Sequence, residues 1–248
     1  MIISPDTRQL LLAAARNNAE WCDAVCRGHA LRPEFAPDAW TSARRTPPYY
    51  PDAVSLTRDA SADALVAAVD TGSPGCSVKD SFATLDLAPA GFEVLFEAQW
   101  IHRPALAGGG AAAGAGPVAA TDSRLEWSEV ASAEELEAWE AAWDGEESTG
   151  LFRPSLLGED IVFLAGRAGG RIVAGAVANT GGGVVGVSNL FALDDADTDA
   201  AWAGALAGVA ARWPELPVVG YESGDDLDAA VRAGFAPLGP LRVWLHTA

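Results

Sequence analysis

The sequence predicts an α/β fold of the α+β kind, in which a mixed, mostly antiparallel sheet is flanked by helices. Three observations indicate this fold. Apolar residues recur at helical spacing near the start, two glycine turns join three apolar runs between residues 160 and 192, and Ala-Gly-Phe occurs twice, each time ahead of a strand-like run. Half of the 248 residues are hydrophobic, which is enough for one large core or two small ones.

Residues 1–106 are expected to form an N-terminal α/β half. Ser4 and Pro5 mark a helix start, and an apolar stripe runs from there to Cys26. A proline-rich loop covers 40–51. Beyond it we expect strands at 54–57, 76–79 and 92–102, a helix at 61–69, and a short helix before the last strand.

Residues 107–120 are rich in glycine and alanine and have the composition of a linker, so that 121–248 form a second domain. In this domain Ser132 and Glu135 make a capping box ahead of a helix that carries Trp139. Strands are expected at 160–167, 171–178 and 184–192, then a helix around 202–213, a strand at 216–222, a helix at 225–232 and two final strands after Gly234.

Charge excludes some partners. Sixteen Lys and Arg against 34 Asp and Glu give a formal charge of −18, so a nucleic acid would be repelled.

No apolar run approaches the roughly 20 residues of a membrane span, and no basic stretch precedes the first apolar run as a signal peptide requires. Three cysteines do not form a secreted disulfide framework. We expect a cytoplasmic protein with a small-molecule ligand and leave its oligomeric state open.

Two patterns look like metal sites, but each has a structural alternative. Cys22, Cys26 and His29 share a helix face, although both cysteines also lie on the apolar stripe and no fourth ligand is identifiable. Alternating aspartates resemble the opening of a calcium loop whose later glycine and glutamate are missing, so helix capping accounts for them: Asp195, Asp197 and Asp199. No metal is therefore expected.

The order of elements in 121–248 resembles that of the GNAT acyltransferase superfamily. Its most specific part is the ending, where a strand and a short helix lead into Ala233-Gly234-Phe235 and then Trp244-Leu245-His246. The front half repeats this ending as Ala90-Gly91-Phe92 followed by Trp100-Ile101-His102. The resemblance implies a tandem of two GNAT copies with an incomplete first copy. The alternative is that the front half is an unrelated helical cap and that its Ala-Gly-Phe matches the later Ala-Gly-Phe by chance.

The resemblance also implies acetyl-CoA or another acyl-CoA as acyl donor, held at a glycine-rich turn of pattern Q/R-x-x-G-x-G/A before a helix. After Phe191 this chain instead reads Ala-Leu-Asp-Asp-Ala-Asp-Thr-Asp. Carboxylates there would cap the helix amides and repel a diphosphate, so these residues predict weak CoA binding. The tyrosine that GNAT enzymes often use as general acid maps to Ala230, and to Leu87 in the first copy.

Candidate site residues follow from the cleft that GNAT folds form between the strands here at 184–192 and 216–222. Ser188 and Asn189 are candidates for orienting an acyl carbonyl. Tyr221 and Glu222 are the catalytic candidates, with Glu222 as the base that removes a proton from an acceptor amine.

Further substrate-binding candidates come from the first half. Aligning Gly91 with Gly234 places Lys79, the only lysine, opposite Glu222, so Lys79 and Asp80 are expected to line one shared pocket with Tyr221 and Glu222. The loop 40–51 supplies a basic and aromatic cluster that forms either an anion-attracting rim or a rigid seam between the halves: Arg44, Arg45, Tyr49 and Tyr50.

Two functions remain open at this stage. The first is an acyl-CoA-dependent N-acyltransferase with a divergent donor site. The second is a catalytically degenerate GNAT-fold module that binds or senses a small ligand.

Overall fold

A computed structural model of the chain describes residues 5–105, 125–145, 148–193 and 197–247. Its helices, numbered in chain order, are α1 (Pro5–Gly28), α2 (Ala62–Ala68), α3 (Ala133–Asp144), α4 (Thr198–Arg212) and α5 (Gly224–Arg232). Its strands are β1 (Glu34–Phe35), β2 (Ala39–Thr41), β3 (Ala53–Ser55), β4 (Ser77–Asp80), β5 (Phe92–Arg103), β6 (Glu126–Glu129), β7 (Ile161–Ala168), β8 (Arg171–Gly181), β9 (Val184–Ala192), β10 (Val218–Glu222) and β11 (Ala236–His246). Single 3₁₀ turns lie at Ala88–Ala90 and Pro154–Leu156.

The chain divides into two compact units. Unit 1 comprises Met1–Trp100 and Leu238–Ala248, and unit 2 comprises Ile101–Pro237. This division differs from the sequence-based boundary because most of β11 belongs to unit 1. The predicted linker, 107–120, lies outside the described residues.

Unit 1 has the strand order β1-β2-β3-β4-β11-β5. The strands β3 and β4 are parallel and α2 connects them, whereas β11 pairs with β4 in antiparallel register. The helix α2 begins as predicted, because the Ser61 hydroxyl accepts a hydrogen bond from the Ala64 amide at 3.3 Å. The core contains large apolar side chains from these elements: Leu65, Val78, Leu87, Phe92 and Trp244.

The end of the chain differs from its prediction. One continuous strand, β11, replaces the two expected strands. Proline at 240 does not interrupt it, because the fixed φ of proline suits an extended chain. Gly239 lies beside α1, where an added Cβ would make ordinary van der Waals contact with the Leu11 methyl carbons at 3.5 Å.

Unit 2 has the order β5-β10-β9-β8-β7-β6, with Ile101–Arg103 as its part of β5. The strands β7 to β9 form the two predicted antiparallel hairpins, and β6 also pairs with β7 in antiparallel register. The strand β10 is parallel to β9 through the crossover helix α4. The core on the α4 face includes Leu164, Val185, Val187, Trp202 and Leu206. A mid-helix glycine is required there, because a Cβ on Gly204 would lie 1.9 Å from the Trp127 ring.

The opposite face of unit 2 is covered by α3. Its capping box forms, with the Ser132 hydroxyl accepting from the Glu135 amide at 3.2 Å. Glu140 is buried, and its carboxylate accepts three loop amides, those of Thr149, Leu151 and Phe152, at 2.7–3.0 Å. These hydrogen bonds hold the pKa of Glu140 below its usual value despite burial, so the ionised carboxylate anchors the loop after α3.

The Ala-Gly-Phe repeat has the same backbone geometry in both units. Gly91 and Gly234 both adopt a left-handed conformation, with φ of 82° and 92°. The amide of Phe92 donates to Leu87 O at 3.3 Å, and the amide of Phe235 donates to Ala230 O at 3.1 Å. In each unit this turn follows two parallel strands that are connected by a helix.

Candidate functional site

The strand β9 carries a bulge in the middle of its polar stretch. Val177 of β8 faces Ser188 and Gly175 faces Phe191, so two residues of β9, Asn189 and Leu190, oppose a single residue of β8. Asn189 has φ of 51°, a left-handed conformation that asparagine tolerates better than most residues. The bulge bends β9 at the polar pair that the sequence singled out.

The strands β9 and β10 separate just before this bulge. Their last parallel pair is Gly186 with Val219, although both strands continue. At the next position a Cβ on Gly220 would lie 2.9 Å from the Val187 carbonyl oxygen, so this close approach requires glycine. Beyond Gly186 and Val219 no further pair of described residues of these two strands is in register, and the resemblance to GNAT folds predicts the cleft at this point.

Glu222 ends β10 on one side of this cleft. Burial, reinforced by the nearby Asp226 carboxylate, raises the pKa of Glu222 to about 8. A carboxylate with this pKa is a stronger base than a solvated one and changes charge close to neutral pH. Asp226 was not singled out in the sequence, although a second carboxylate four residues after Glu222, in the first turn of α5, is a visible signal.

The candidates from β9 and β10 do not share one face of the sheet. Val187 and Val218 both pack in the α4-face core, so alternation places Ser188 and Tyr221 on the α3 face and Glu222 on the α4 face. The Ser188 hydroxyl oxygen is buried without a hydrogen-bond partner, and Tyr221 is half-buried. A ligand bound between the separating strands can contact candidate residues on both faces of the sheet. A ligand bound against one face can contact only the candidates on that face.

The start of α4 is capped by its own carboxylates. Asp197 accepts the Asp199 amide at 2.9 Å, and Asp199 binds Arg232 through two oxygens at 2.8 and 3.1 Å. The cap that we predicted at Asp197 is confirmed, whereas Asp195 lies outside the described residues. A diphosphate needs free amides and positive potential, so this helix start does not fit the usual diphosphate site of a CoA.

Lys79 and Asp80 belong to unit 1, where both are buried. The Lys79 ammonium donates to Asn18 Oδ1 at 2.8 Å. Asp80 accepts the amides of Phe82 and Leu85 at 3.2 and 2.8 Å, which fixes the turn after β4. Both side chains therefore have structural contacts within unit 1, and the pocket shared with unit 2 stays a prediction.

The basic and aromatic loop is fixed by a buried carboxylate. Arg45 pairs with Asp52 and also donates to the Asp70 and Ser73 carbonyls. Asp52 Oδ1 accepts the Thr46 amide at 3.0 Å. Burial raises the pKa of Asp52, although the arginine and the amides oppose that rise. The guanidinium of Arg45 is thus already engaged by protein groups.

The other three residues of this loop differ in exposure. Arg44 is exposed, and Tyr49 is 74% exposed with φ of 71°. Tyr50 is buried with its ring edge-on to Trp21 at 6.0 Å between centroids. The loop leaves Arg44 and Tyr49 accessible to a ligand, while Arg45 and Tyr50 stabilise unit 1.

Neither metal pattern gains support from the contacts of its residues. Cys22 and Cys26 are buried among apolar side chains of α1. Burial raises the pKa of Cys22 to about 11 and also raises that of Cys26, so both are protonated thiols near neutral pH. Within the described ranges, no group of three or more His, Cys, Asp or Glu could hold a metal ion, and no helix is long and apolar enough to cross a membrane.

The sequence matches no protein-family profile and no curated protein. Solved structures do match. A GCN5-related N-acetyltransferase from Kribbella flavida aligns with a TM-score of 0.57 at 17% identity over 93% of this chain and 95% of that one. A putative GNAT-family acetyltransferase from Novosphingobium aromaticivorans aligns with a TM-score of 0.59 at 12% identity. This alignment covers 95% of this chain and 99% of that one. A Drosophila protein aligns with a TM-score of 0.54 at 13% identity, over 97% of this chain and 95% of that one.

These alignments cover nearly all of both chains, so they include the front half as well as residues 121–248. Identities of 12–17% establish shared architecture and leave activity to be argued from the site. The chain therefore has the fold of the GNAT acetyltransferases.

Proposed function

We propose that the protein transfers an acyl group from a thioester donor to the amine of a small molecule, with the reaction taking place in the cleft between β9 and β10. The observation that carries this proposal is the Glu222 carboxyl, which is half-buried near the point where the paired register of the strands ends and has a pKa raised to about 8. The ionised form of Glu222 is a stronger base than a solvated carboxylate, and its fraction increases as pH rises to about 8, so base catalysis should increase over the same range.

In this reaction the amine nitrogen attacks the thioester carbonyl carbon. The new C–N bond forms, the C–S bond breaks, and the Glu222 carboxylate takes the proton that the amine loses. The unpartnered Ser188 hydroxyl and the amides of the Asn189 bulge are the groups available to orient the acyl carbonyl. We assign protonation of the departing thiolate to the Tyr221 hydroxyl, because Ala230 stands where GNAT enzymes often have tyrosine.

We further propose that the two units arose by duplication and that the first copy is incomplete. The identical turns at Gly91 and Gly234 support this, as do the two parallel strand pairs with their crossover helices. Unit 1 has Lys79 where unit 2 has Glu222, and the Asn18 contact occupies its ammonium. One acyl-transfer site per chain follows from this assignment.

The test is an amine panel incubated with millimolar acetyl-CoA, with products identified by mass spectrometry. Acylated product is expected with at least one primary amine, and Glu222→Gln should reduce its formation about 10²-fold or more, because general base catalysis contributes that much. Glu215→Gln, an exposed carboxylate on the segment leading into β10, is the matched control. Full activity in Glu222→Gln would contradict the assignment of the base.

A second candidate function is a ligand-binding module without turnover. The carboxylate-capped start of α4 favours it, because that feature removes the usual anchor of a CoA. A small molecule that raises the melting temperature while no acylated product forms with any amine would support this alternative.

A further inference from the structure

A histidine near the end of β5 takes no part in the proposed reaction. His102 is half-buried, and its side chain makes no hydrogen bond, ion pair or ring contact with any residue that the structure describes. We propose that His102 selects the acceptor by binding a neutral hydrogen-bonding group, a hydroxyl or an amide, at the end of the substrate away from its amine nitrogen. This inference rests on the proposed function and names the class of acceptor for that same site.

The neighbour of His102 in the strand shows which face of the sheet it lies on. Ile101 packs in the α4-face core of unit 2. Because side chains alternate along a strand, His102 lies on the α3 face. Ser188 and Tyr221 lie on that same face, so three polar side chains from the adjacent strands β9, β10 and β5 share it.

The distance from His102 to β9 sets the length of the acceptor. The strand β10 lies between β9 and β5, and a Cβ on Gly220 would lie 3.6 Å from Ile101 Cγ1. Neighbouring strands lie about 4.8 Å apart, so the backbones at Ser188 and His102 are separated by about 10 Å or more. An amine whose second polar group lies several bonds from its nitrogen spans this interval.

Burial decides which chemical group His102 binds. It lowers the pKa of His102, so the imidazole is neutral near neutral pH. A neutral imidazole donates a hydrogen bond through one ring nitrogen and accepts one through the other, which matches a hydroxyl or an amide. It offers no positive charge to a carboxylate, and the formal charge of −18 on the chain also repels an anionic acceptor.

The repeated histidine of unit 1 has a different environment. His246 ends the tripeptide 244–246, in the place that His102 has in the tripeptide 100–102. The His246 ring lies edge-on to Phe92, with 4.9 Å between the ring centroids. One copy of the tripeptide therefore uses its histidine for packing, whereas the copy beside β10 leaves its histidine available to a ligand.

The binding experiment compares two amines of the same length. Aminopentanol carries a hydroxyl at the far end of its chain, and hexylamine carries a methyl group in that place. Dissociation constants are measured by NMR titration of the full chain, followed in the tryptophan indole resonances, with and without CoA. Aminopentanol should bind at least about fivefold more tightly, because one net hydrogen bond contributes about that factor. A smaller preference, or no binding of either amine, would overturn the inference.

Substitutions test whether His102 causes the preference. His102→Phe removes both ring nitrogens and should abolish it, whereas His102→Gln keeps an amide that donates and accepts and should retain it. The matched control is His246→Phe, which should leave the preference unchanged. A preference that survives in His102→Phe, or that is lost in His102→Gln, would contradict the inference. In the unmodified chain, which has three histidines, the His102 imidazole resonance should move with aminopentanol more than with hexylamine, and this measurement needs no variant to fold.

Turnover separates this inference from the function on which it rests. Preferential binding of aminopentanol without acylated product from any amine would contradict the proposed function and support the inference about His102. Acylation of both amines with equal kcat/KM would support the proposed function and overturn the inference.

Discussion

Replacing Glu222 by glutamine should change how stability depends on pH. The folded chain raises the pKa of this carboxyl from 4.5 to about 8, so between these values the folded state keeps a proton that the unfolded state has lost. The contribution of Glu222 to the free energy of unfolding is therefore complete below pH 4.5 and decreases as pH rises to about 8. Glutamine stays neutral and shows no such loss.

The magnitude follows from the size of the pKa change. At about 1.36 kcal/mol for each tenfold change in acid dissociation, a rise from 4.5 to about 8 corresponds to about 5 kcal/mol. Glu222 keeps partial solvent contact, and screening by that water reduces the expected effect to about 2–4 kcal/mol. For a chain of this size each kcal/mol shifts the melting temperature by about 2–4 °C.

Thermal unfolding monitored by tryptophan fluorescence from pH 5 to pH 9 measures this effect. Glu222→Gln should melt close to the unmodified protein at pH 5 and roughly 10 °C above it at pH 9. The exposed Glu215→Gln should follow the unmodified protein throughout. Parallel curves for Glu222→Gln and the unmodified protein would show that Glu222 is ionised in the folded state at ordinary pH, and the argument for it as a perturbed base would fail.

Three further outcomes are expected. Acetyl-CoA should bind no better than about millimolar at ordinary salt, about −4 kcal/mol, and low-micromolar affinity by calorimetry would restore a diphosphate site. Asp52→Ala should lower the free energy of unfolding by about 3–5 kcal/mol, measured by urea denaturation, because Arg45 loses its buried partner. Gly204→Ala should destabilise despite the better helix propensity of alanine, by about 1–3 kcal/mol. The same change in a Trp127→Ala background should be neutral or stabilising, since the ring that it would meet is gone.

Elements with strong local patterns are predictable from the sequence, and elements that depend on distant partners are not. The helix α1 and the hairpins of β7 to β9 follow from periodicity and glycine turns within short windows. The two short strands β1 and β2 were missed because the prolines around them favour a loop. The continuity of β11 comes from its pairing with β4, far away in sequence, which no local window contains.

The candidate site divides in the same way. The polar pair Ser188 and Asn189 and the carboxylate Glu222 are visible as polar residues among apolar neighbours in strands. The bulge at Asn189 and the burial of Glu222 depend on how β8, β9 and β10 pack, which the sequence does not encode locally. The network around Asp52 joins Thr46 to Ser77, which lies 25 residues from Asp52 in the chain. The sequence alone therefore could not decide whether Arg45 binds a ligand or protein groups, and the structure shows it paired with Asp52.

Because unit 1 takes its strand β11 from the end of the chain, its assembly is ordered in time. During synthesis the residues of α1 to β4 emerge early, yet the hydrogen bonds of His246 to Cys76 and of Thr247 to Gly91 form only after unit 2 has been made. Until then the β4 edge has no strand in the place of β11 and is open to incorrect pairing with other chains.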